Sequence, residues 1–362
     1  MIEYKICKRC IMDTTAIDIN FDEKGNCNYC NDLVNYNKKS YKKNIDDLIY
    51  KIKKNNSKNE YDCIVGLSGG VDSAWTLVKV LEYGLKPLAV HMDNGWNTEL
   101  AQNNIHNLVK SLNVDLYTEV LDWDKYSSLM KSFFSSDVID IELLYDNAMF
   151  ASNFMQANKY NVKFILAGTN NSTEGLRIPK KWNWYKYDKK NIKDINSKFE
   201  NIKLENYPKF STFDYIYSRF IKNVKWISFL DYIDYNKFDA EAKLVKDYDF
   251  KPYLYKHYES FFTKFYQSYI LPVKFNVDKR RVHLSSLIIS GQISREEALK
   301  NIDKKPYNQE TLNDDFDYFL KKMSWSKKDF QEYLNRPAKN HDFYKSELYL
   351  WEFATKLYNF IK

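Results

Sequence analysis

Two groups of residues in this 362-residue chain have the types and spacing to do chemistry. Cys7, Cys10, Cys27 and Cys30 form C-x2-C, a gap of sixteen residues, and C-x2-C again. Each pair can put both thiolates on one metal, and two pairs complete a closed tetrahedral shell, so a structural zinc is expected. Four thiolates leave no open position for a catalytic water. A segment of about 30 residues cannot build its own core, and the metal would supply its fold. The second group is "SGGVDS", Ser68, Gly69, Gly70, Val71, Asp72 and Ser73, in a chain with only 9 glycines. Its glycines let the backbone approach a ligand closely, and the start of a helix presents unpaired N–H groups and a positive dipole end. Ser68 and Ser73 add hydroxyl donors. A phosphate chain fits such a cradle, and Asp72 is placed to hold its Mg2+. The pattern GxxxxGK[ST] is absent.

The flanks must position that loop. "YDCIVGL" is a short apolar, β-branched run and reads as a buried strand. "AWTLVKVLEYG" reads as a helix stopped by Gly84. Further strands are expected in "LKPLAVHMD", "VDLYTEVLD" and "KFILAGT". The helix "NTELAQNNIHNLVKSLN" stands between the first two, and a long helical stretch, one helix or two, precedes the last. Strands alternating with helices predict a parallel sheet covered on both faces, with ligands beyond the carboxyl ends of its strands. The expected organisation is a four-cysteine zinc module over residues 1–40, an α/β domain over 41–180 and a mainly helical region over 181–362. "KKSYKKNIDDLIYKIKKNNSKNE" reads as a connecting helix. "KKWNWYKYDKKNIKDINSKFENIK" has little periodicity and is expected to be a long substrate loop or lid.

Bulk properties narrow the class. Hydrophobic residues make up 44% of the chain, which suits a globular protein. No run reaches the ~18 apolar residues of a membrane span, and "MIEYKICKRC" lacks the apolar core of a signal peptide. A cytoplasmic protein without membrane contact is expected, which disfavours disulfides as the reading of the four cysteines. The net charge of +7, from 55 basic and 48 acidic residues, reflects a composition rich in lysine throughout. Nucleic acid is not the expected partner on that ground alone.

Three further features bear on a site. The loop after the fourth strand packs Thr169, Asn170, Asn171, Ser172, Thr173, Glu174 and Arg177 into nine positions, more donors and acceptors than a turn requires. Asn170, Thr173, Glu174 and Arg177 are therefore candidates for a polar substrate. Lys279, Arg280 and Arg281 are consecutive; on a helix neighbours diverge by ~100°, so one or two of them at most can reach a single site. Ser294 and Glu297 form a capping box that starts a later helix. Cys63, inside the first strand, reads as a small core hydrophobe, with a sulfur-carrying nucleophile as the alternative.

"SGGVDS" after a strand resembles the PP-loop of the ATP pyrophosphatase superfamily, with its adenine nucleotide alpha hydrolase-like fold. The resemblance implies cleavage of ATP between the α and β phosphates, with Met92 and Asp93 near the nucleoside and Gly168 and Thr169 near the nucleotide. A simple Asp-Asn-Gly turn explains "HMDNGWN" equally well. Together with "CKRCIMDTT", "FDEKGNCNYC", "N-x-x-T-E-G" and "KHYESFFTKFYQSYILPVKFNVDKRRVHLS", it makes the chain similar to the N-acetyl sugar amidotransferase family from about residue 5 to about residue 300. That resemblance implies an acetamido group of a bacterial sugar or sugar nucleotide converted to an acetamidino group. The amide oxygen attacks the α-phosphate of ATP, pyrophosphate leaves, and ammonia displaces AMP. Such sugars occur in O-antigens and nonulosonic acids. The leaving pyrophosphate needs Mg2+, loop N–H groups and a cation, for which Lys279 or Arg280 is the candidate; Asp72 and Glu174 complete the expected catalytic set. Position 2 is isoleucine rather than a nucleophilic cysteine, so ammonia is expected from a partner glutaminase and a cyclase-like subunit resembling those of histidine synthesis. A PP-loop enzyme modifying tRNA and a non-catalytic zinc adaptor are the alternatives.

Overall fold

The computed structural model describes residues 3–39, 43–56, 59–253, 256, 258–305, 307 and 309–361. After the cysteine segment come α1 (Asn28–Lys39) and α2 (Ile45–Asn56), then β1 (Cys63–Gly66), α3 (Val71–Glu82), β2 (Pro87–Asp93), α4 (Glu99–Leu112) and β3 (Leu116–Val120). The long helical stretch is two helices, α5 (Trp123–Ser136) and α6 (Leu143–Lys159), divided where Asp137 takes a left-handed conformation. β4 (Phe164–Ala167) and the single turn α7 (Asn171–Glu174) follow. The expected connecting helix is α2, with residues 40–42 and 57–58 of that stretch outside the described residues.

With β5 (Lys225–Ser228), the sheet is entirely parallel, in the order β3-β2-β1-β4-β5. Both of its faces are covered, which explains why the central strands are continuously apolar. Cys63, Val65, Ala89, Phe164 and Leu166 face one core, packed against α2, α3 and α4. Ile64, Leu88, Val90 and Ile165 face the other, with Phe154 of α6. Cys63 is fully buried there, and burial pushes its thiol well above the ordinary value, which supports the core reading.

Two expectations are corrected. β5 (Lys225–Ser228) pairs with β4 although it lies well beyond residue 180, so the α/β unit draws its edge strand from the region expected to be helical. The stretch expected to be a long loop contains α8 (Lys189–Lys198), capped by Asp188 and burying Ile192 and Ile195 against α5. Its apolar residues are sparse because buried polar groups do much of the anchoring: Asn191 donates to the carbonyls of His341 and Lys345. The rest is mainly helical as expected: α9 (Thr212–Ile216), α10 (Lys237–Tyr248), α11 (Phe261–Phe265), α12 (Leu271–Phe275), α13 (Arg280–Ile289), α14 (Arg295–Asp303), α15 (Gln309–Met323), α16 (Lys327–Asn335) and α17 (Leu348–Ile361). A π-helical turn, Tyr266–Ile270, joins α11 to α12. Ser294 and Glu297 form the capping box of α14. Among the described residues no helix is long and apolar enough to cross a membrane.

Candidate active site

The strand order reverses between β1 and β4, and the crevice beyond their carboxyl ends is where an open α/β sheet receives a ligand. "SGGVDS" leaves β1 there and runs into α3. Its hydroxyls brace the turn: Ser73 Oγ accepts from the Ser68 amide at 3.2 Å and lies 3.1 Å from Ser68 Oγ. Gly69 has φ +87°, and a Cβ there would stand 3.1 Å from the Ala101 carbonyl. Gly168, leaving β4, crosses the start of α3 so closely that a Cβ would stand 2.8 Å from the Ser73 nitrogen. Glycine is required at both positions, by conformation at the first and by close approach at the second.

Beyond the loop lies a cavity of about 540 Å3, within the range of small-molecule sites. Of the residues singled out in the sequence, Ser68, Gly70, Val71, Asp72, Ser73, Met92, Gly168, Thr169, Glu174 and Lys279 line it. Asp72 sits at its centre of charge. Tyr235 donates to Oδ1, while Thr173 Oγ1 (3.2 Å) and Lys256 Nζ (3.1 Å) donate to Oδ2. Lys256 also reaches Glu174 Oε1 at 2.7 Å. Lys256 and Asp72 are each only 16% exposed. Burial alone would raise the Asp72 carboxyl, but the Lys256 ammonium and the Tyr235 hydroxyl hold it below the ordinary carboxylate value. Burial disfavours the Lys256 ammonium too, yet Asp72 and Glu174 overcome this and raise its pKa. Lys237, a second cation on the cavity wall, goes the other way, because burial lowers it more than Asp72 raises it.

A magnesium ion on Asp72 fits only in part. Oδ2 already accepts from two donors and Oδ1 from one, which leaves one lone pair for a metal. The Glu259 carboxylate also lies against the loop, since a Cβ at Gly70 would stand 3.4 Å from its Oε1. Asp72 and Glu259 are the residues that would hold the ion beside the phosphate cradle.

Some expected residues lie elsewhere. The three consecutive cations diverge as helical geometry requires. Lys279 enters the cavity, but Glu142 holds it at 2.6 Å. Arg280 is turned away, clamped to Asp278 (2.7 Å) and to the carbonyls of Asn301, Ile302 and Lys304. It braces the end of α14 and takes no part in the cavity wall. Arg281 pairs with Asp13 at 3.0 Å and binds the Ile11 carbonyl. Asp93 accepts from the Gly95 amide and from Asn97, the turn that the Asp-Asn-Gly sequence predicts. Asn170 caps α7 through the Thr173 amide, so its role is to shape the loop. Arg177 pairs with Asp18 and stacks on Tyr29, 4.7 Å from the ring centroid, which fastens the cysteine module.

That module fits a structural metal. All four Sγ atoms lie within 4.8 Å of one another, and Cys7–Cys30 and Cys10–Cys27 stand 3.7 and 3.5 Å apart. Sulfurs about 3.8 Å apart are what a tetrahedral ion with bonds of about 2.3 Å requires. The amides of Cys10, Cys27 and Cys30 point at sulfur, as donors to thiolates do. The module is a brace: Arg295 binds the carbonyls of Cys7 and Cys10, and Ser285 accepts from the Ile11 amide.

Sequence reasoning missed Lys256, Tyr235, Glu142, Asp146, Lys186 and Gln267. Lys256 is one of 55 basic residues and follows no motif, although it lies in the quoted "KHYESFF" stretch. Nothing in its local sequence separates it from a solvated lysine.

Residues 259–358 match the family model described as LPS biosynthesis protein WbpG-like, C-terminal domain. No curated protein matches the chain. Among solved structures it is similar to an NMN synthetase from Francisella tularensis, at 16% identity over 66% of this chain and 100% of that one, TM-score 0.29. It is also similar to an NH3-dependent NAD synthetase from Campylobacter jejuni, at 13% identity over 73% and 97%, TM-score 0.30. A third is the U34-tRNA thiolase NcsA from Methanococcus maripaludis, at 16% identity over 85% and 92%, TM-score 0.32. The expected fold is present in its own right: a parallel sheet with the glycine loop at its switch point, a four-cysteine cluster and a mostly helical C-terminus.

Proposed function

We propose that the chain is an ATP-dependent N-acetyl sugar amidotransferase of bacterial surface-polysaccharide biosynthesis, acting in the cytoplasm. It would convert an acetamido to an acetamidino group and release AMP and pyrophosphate, with ammonia supplied by a separate glutaminase and a cyclase-like subunit. The observation that carries the reading is the buried Lys256–Asp72–Glu174 network beside the glycine loop, in a cavity of about 540 Å3. The match of residues 259–358 to the WbpG-like LPS biosynthesis model supports the biosynthetic setting.

Amides are weak nucleophiles, so much of the catalysis must come from positioning and from stabilising charge on the leaving group. The amides and hydroxyls of Ser68–Ser73 would hold the phosphates. Lys256, rather than Lys279 or Arg280, would meet the charge that develops as pyrophosphate departs, with Asp72 and Glu174 holding its ammonium in place. Mg2+, when bound, neutralises phosphate charge. After adenylation the imidate carbon accepts the lone pair of ammonia; the C–O bond to AMP breaks, and protons leave the new nitrogen. Thiolation of tRNA fits less well, because Cys63 is buried in the sheet and the other four cysteines share one cluster.

With ATP, Mg2+, high ammonium and an acetamido sugar, the purified chain is expected to yield AMP and a product lighter by the difference between O and NH. Mass spectrometry and AMP quantitation read both. Glutamine alone should give almost none, and higher pH should help, since only neutral NH3 attacks. Efficient use of glutamine by this chain alone would overturn the partner assignment, and absence of amidine with every acetamido sugar would overturn the function.

A further inference from the structure

The cavity has a second charged pole that the ATP chemistry leaves unused. The start of α6 contributes Glu142 and Asp146, α13 is preceded by Lys279, and Lys186 comes from the segment before α8. Glu142 accepts from Lys279 at 2.6 Å and from Gln267 Nε2 at 2.9 and 3.1 Å. Lys186 bridges Asp140 (2.7 Å) and Asp146 (2.8 Å). Gln267 comes from the π-helical turn, a local departure from α-helical hydrogen bonding that is frequent at functional sites. Trp226, Phe150 and Tyr145 add rings to the lining of the same cavity.

Sequestering charges beside an apolar wall is costly, and replacing such pairs by hydrophobic residues is often neutral or stabilising. Their presence in a cavity therefore points to a polar ligand. The balance of charge says which kind. On the cavity wall two carboxylates (Glu142, Asp146) meet two ammonium groups (Lys186, Lys279); each ammonium already has a carboxylate partner, and Lys186 is held as well by Asp140, which is buried and does not line the cavity. Such a pole offers no surplus positive charge to a phosphate or a carboxylate. It does offer acceptors and donors side by side, which is what hydroxyl groups need, next to rings that can cover the apolar face of a pyranose. Asp146 supports this: burial keeps its carboxyl above the ordinary range although Lys186 pulls it down, and a hydroxyl donor would offset the lost hydration.

We propose that this pole binds the neutral, hydroxyl-bearing ring of the acceptor sugar, with its acetamido arm directed to the phosphate cradle, and that Glu142, Asp146, Lys186 and Lys279 set which sugar is accepted. The identity of the acceptor rests on the amidotransferase reading. The charge argument does not.

Ligand-observed NMR on the full chain tests it, with N-acetylglucosamine and N-acetylgalactosamine, free and UDP-linked, and N-acetylneuraminic acid as the anionic comparison. A neutral acetamido hexose should bind wild type better than N-acetylneuraminic acid. Asp146→Asn and Glu142→Gln should each weaken that sugar about tenfold or exchange the preferred epimer, as loss of a charged hydrogen-bond partner does. ATP binding should stay within about twofold, which also reports that each variant is folded. The proposal is overturned if no neutral probe binds wild type, if the anionic sugar binds best, or if both variants keep wild-type sugar affinity. Sugar binding with these changes but without amidine formation would sink the proposed function and leave this subsite standing; amidine formation unaffected by both variants would do the reverse.

Discussion

Replacing Lys256 with methionine removes the ammonium and keeps most of the side chain's bulk. It leaves Asp72 and Glu174 with no cation between them. At 3.1 and 2.7 Å each ion pair has a gross Coulomb energy of roughly 5–6 kcal/mol at an effective dielectric of about 20. Desolvation offsets much of this, and breaking one side of a buried pair costs about 3–5 kcal/mol. Tyr235 and Thr173 still donate to Asp72, so a loss near the lower end, about 3 kcal/mol, is expected at pH 7.5 in urea denaturation. The loss should depend on pH. In the wild type Asp72 lies below the ordinary value, so its contribution is full above the unfolded pKa of about 4 and fades as pH falls through the folded one. In the variant burial remains and the cation is gone, so a carboxyl there moves above its unfolded value and takes up a proton on mild acidification. The gap between variant and wild type should narrow from pH 7.5 to pH 5. Pyrophosphate release should fall by at least about 100-fold at saturating ATP, the scale of losing one preorganised charge-stabilising group. Lys256→Arg should recover most of the stability but not the rate, because the larger fork cannot place its charge at the same point. Turnover within a few-fold of wild type in Lys256→Met, or a stability gap constant with pH, would refute the assignment.

Cys27→Ser should release the single metal ion of the cysteine module, zinc in our assignment, and expose residues 3–39 to protease, since binding energy at such a site is folding energy. Elemental analysis finding no metal in active wild type would remove the basis for this. Arg280→Gln should lower stability by about 1–2 kcal/mol through its lost bonds to the carbonyls at the end of α14, with kcat and the KM for ATP within about twofold of wild type. A large fall in kcat with unchanged stability would return Arg280 to the chemistry.

The sequence by itself determined the local features of this protein. A strand, a glycine turn and a helix are set by neighbours in the chain, so the SGGVDS cradle, the alternation of strands and helices and the helix stop at Gly84 were legible from residue type. So was the four-cysteine cluster, because both of its pairs carry their spacing with them. Even the divergence of Lys279, Arg280 and Arg281 followed from helical geometry, though not the destination of each. Tertiary structure alone decided the rest. β5 is four residues long with an unremarkable sequence, and only the open edge of β4 makes it a strand. Lys256 acquires its role by standing 184 positions away from Asp72 in the chain and 3.1 Å away in space. The second charged cluster of the cavity arises in the same way, from Glu142, Lys186, Gln267 and Lys279 brought together by three separate helical segments and a loop. Ion pairs and cavities are properties of distance in space, and a lysine's partner, unlike a glycine's turn, leaves no mark on the residues beside it.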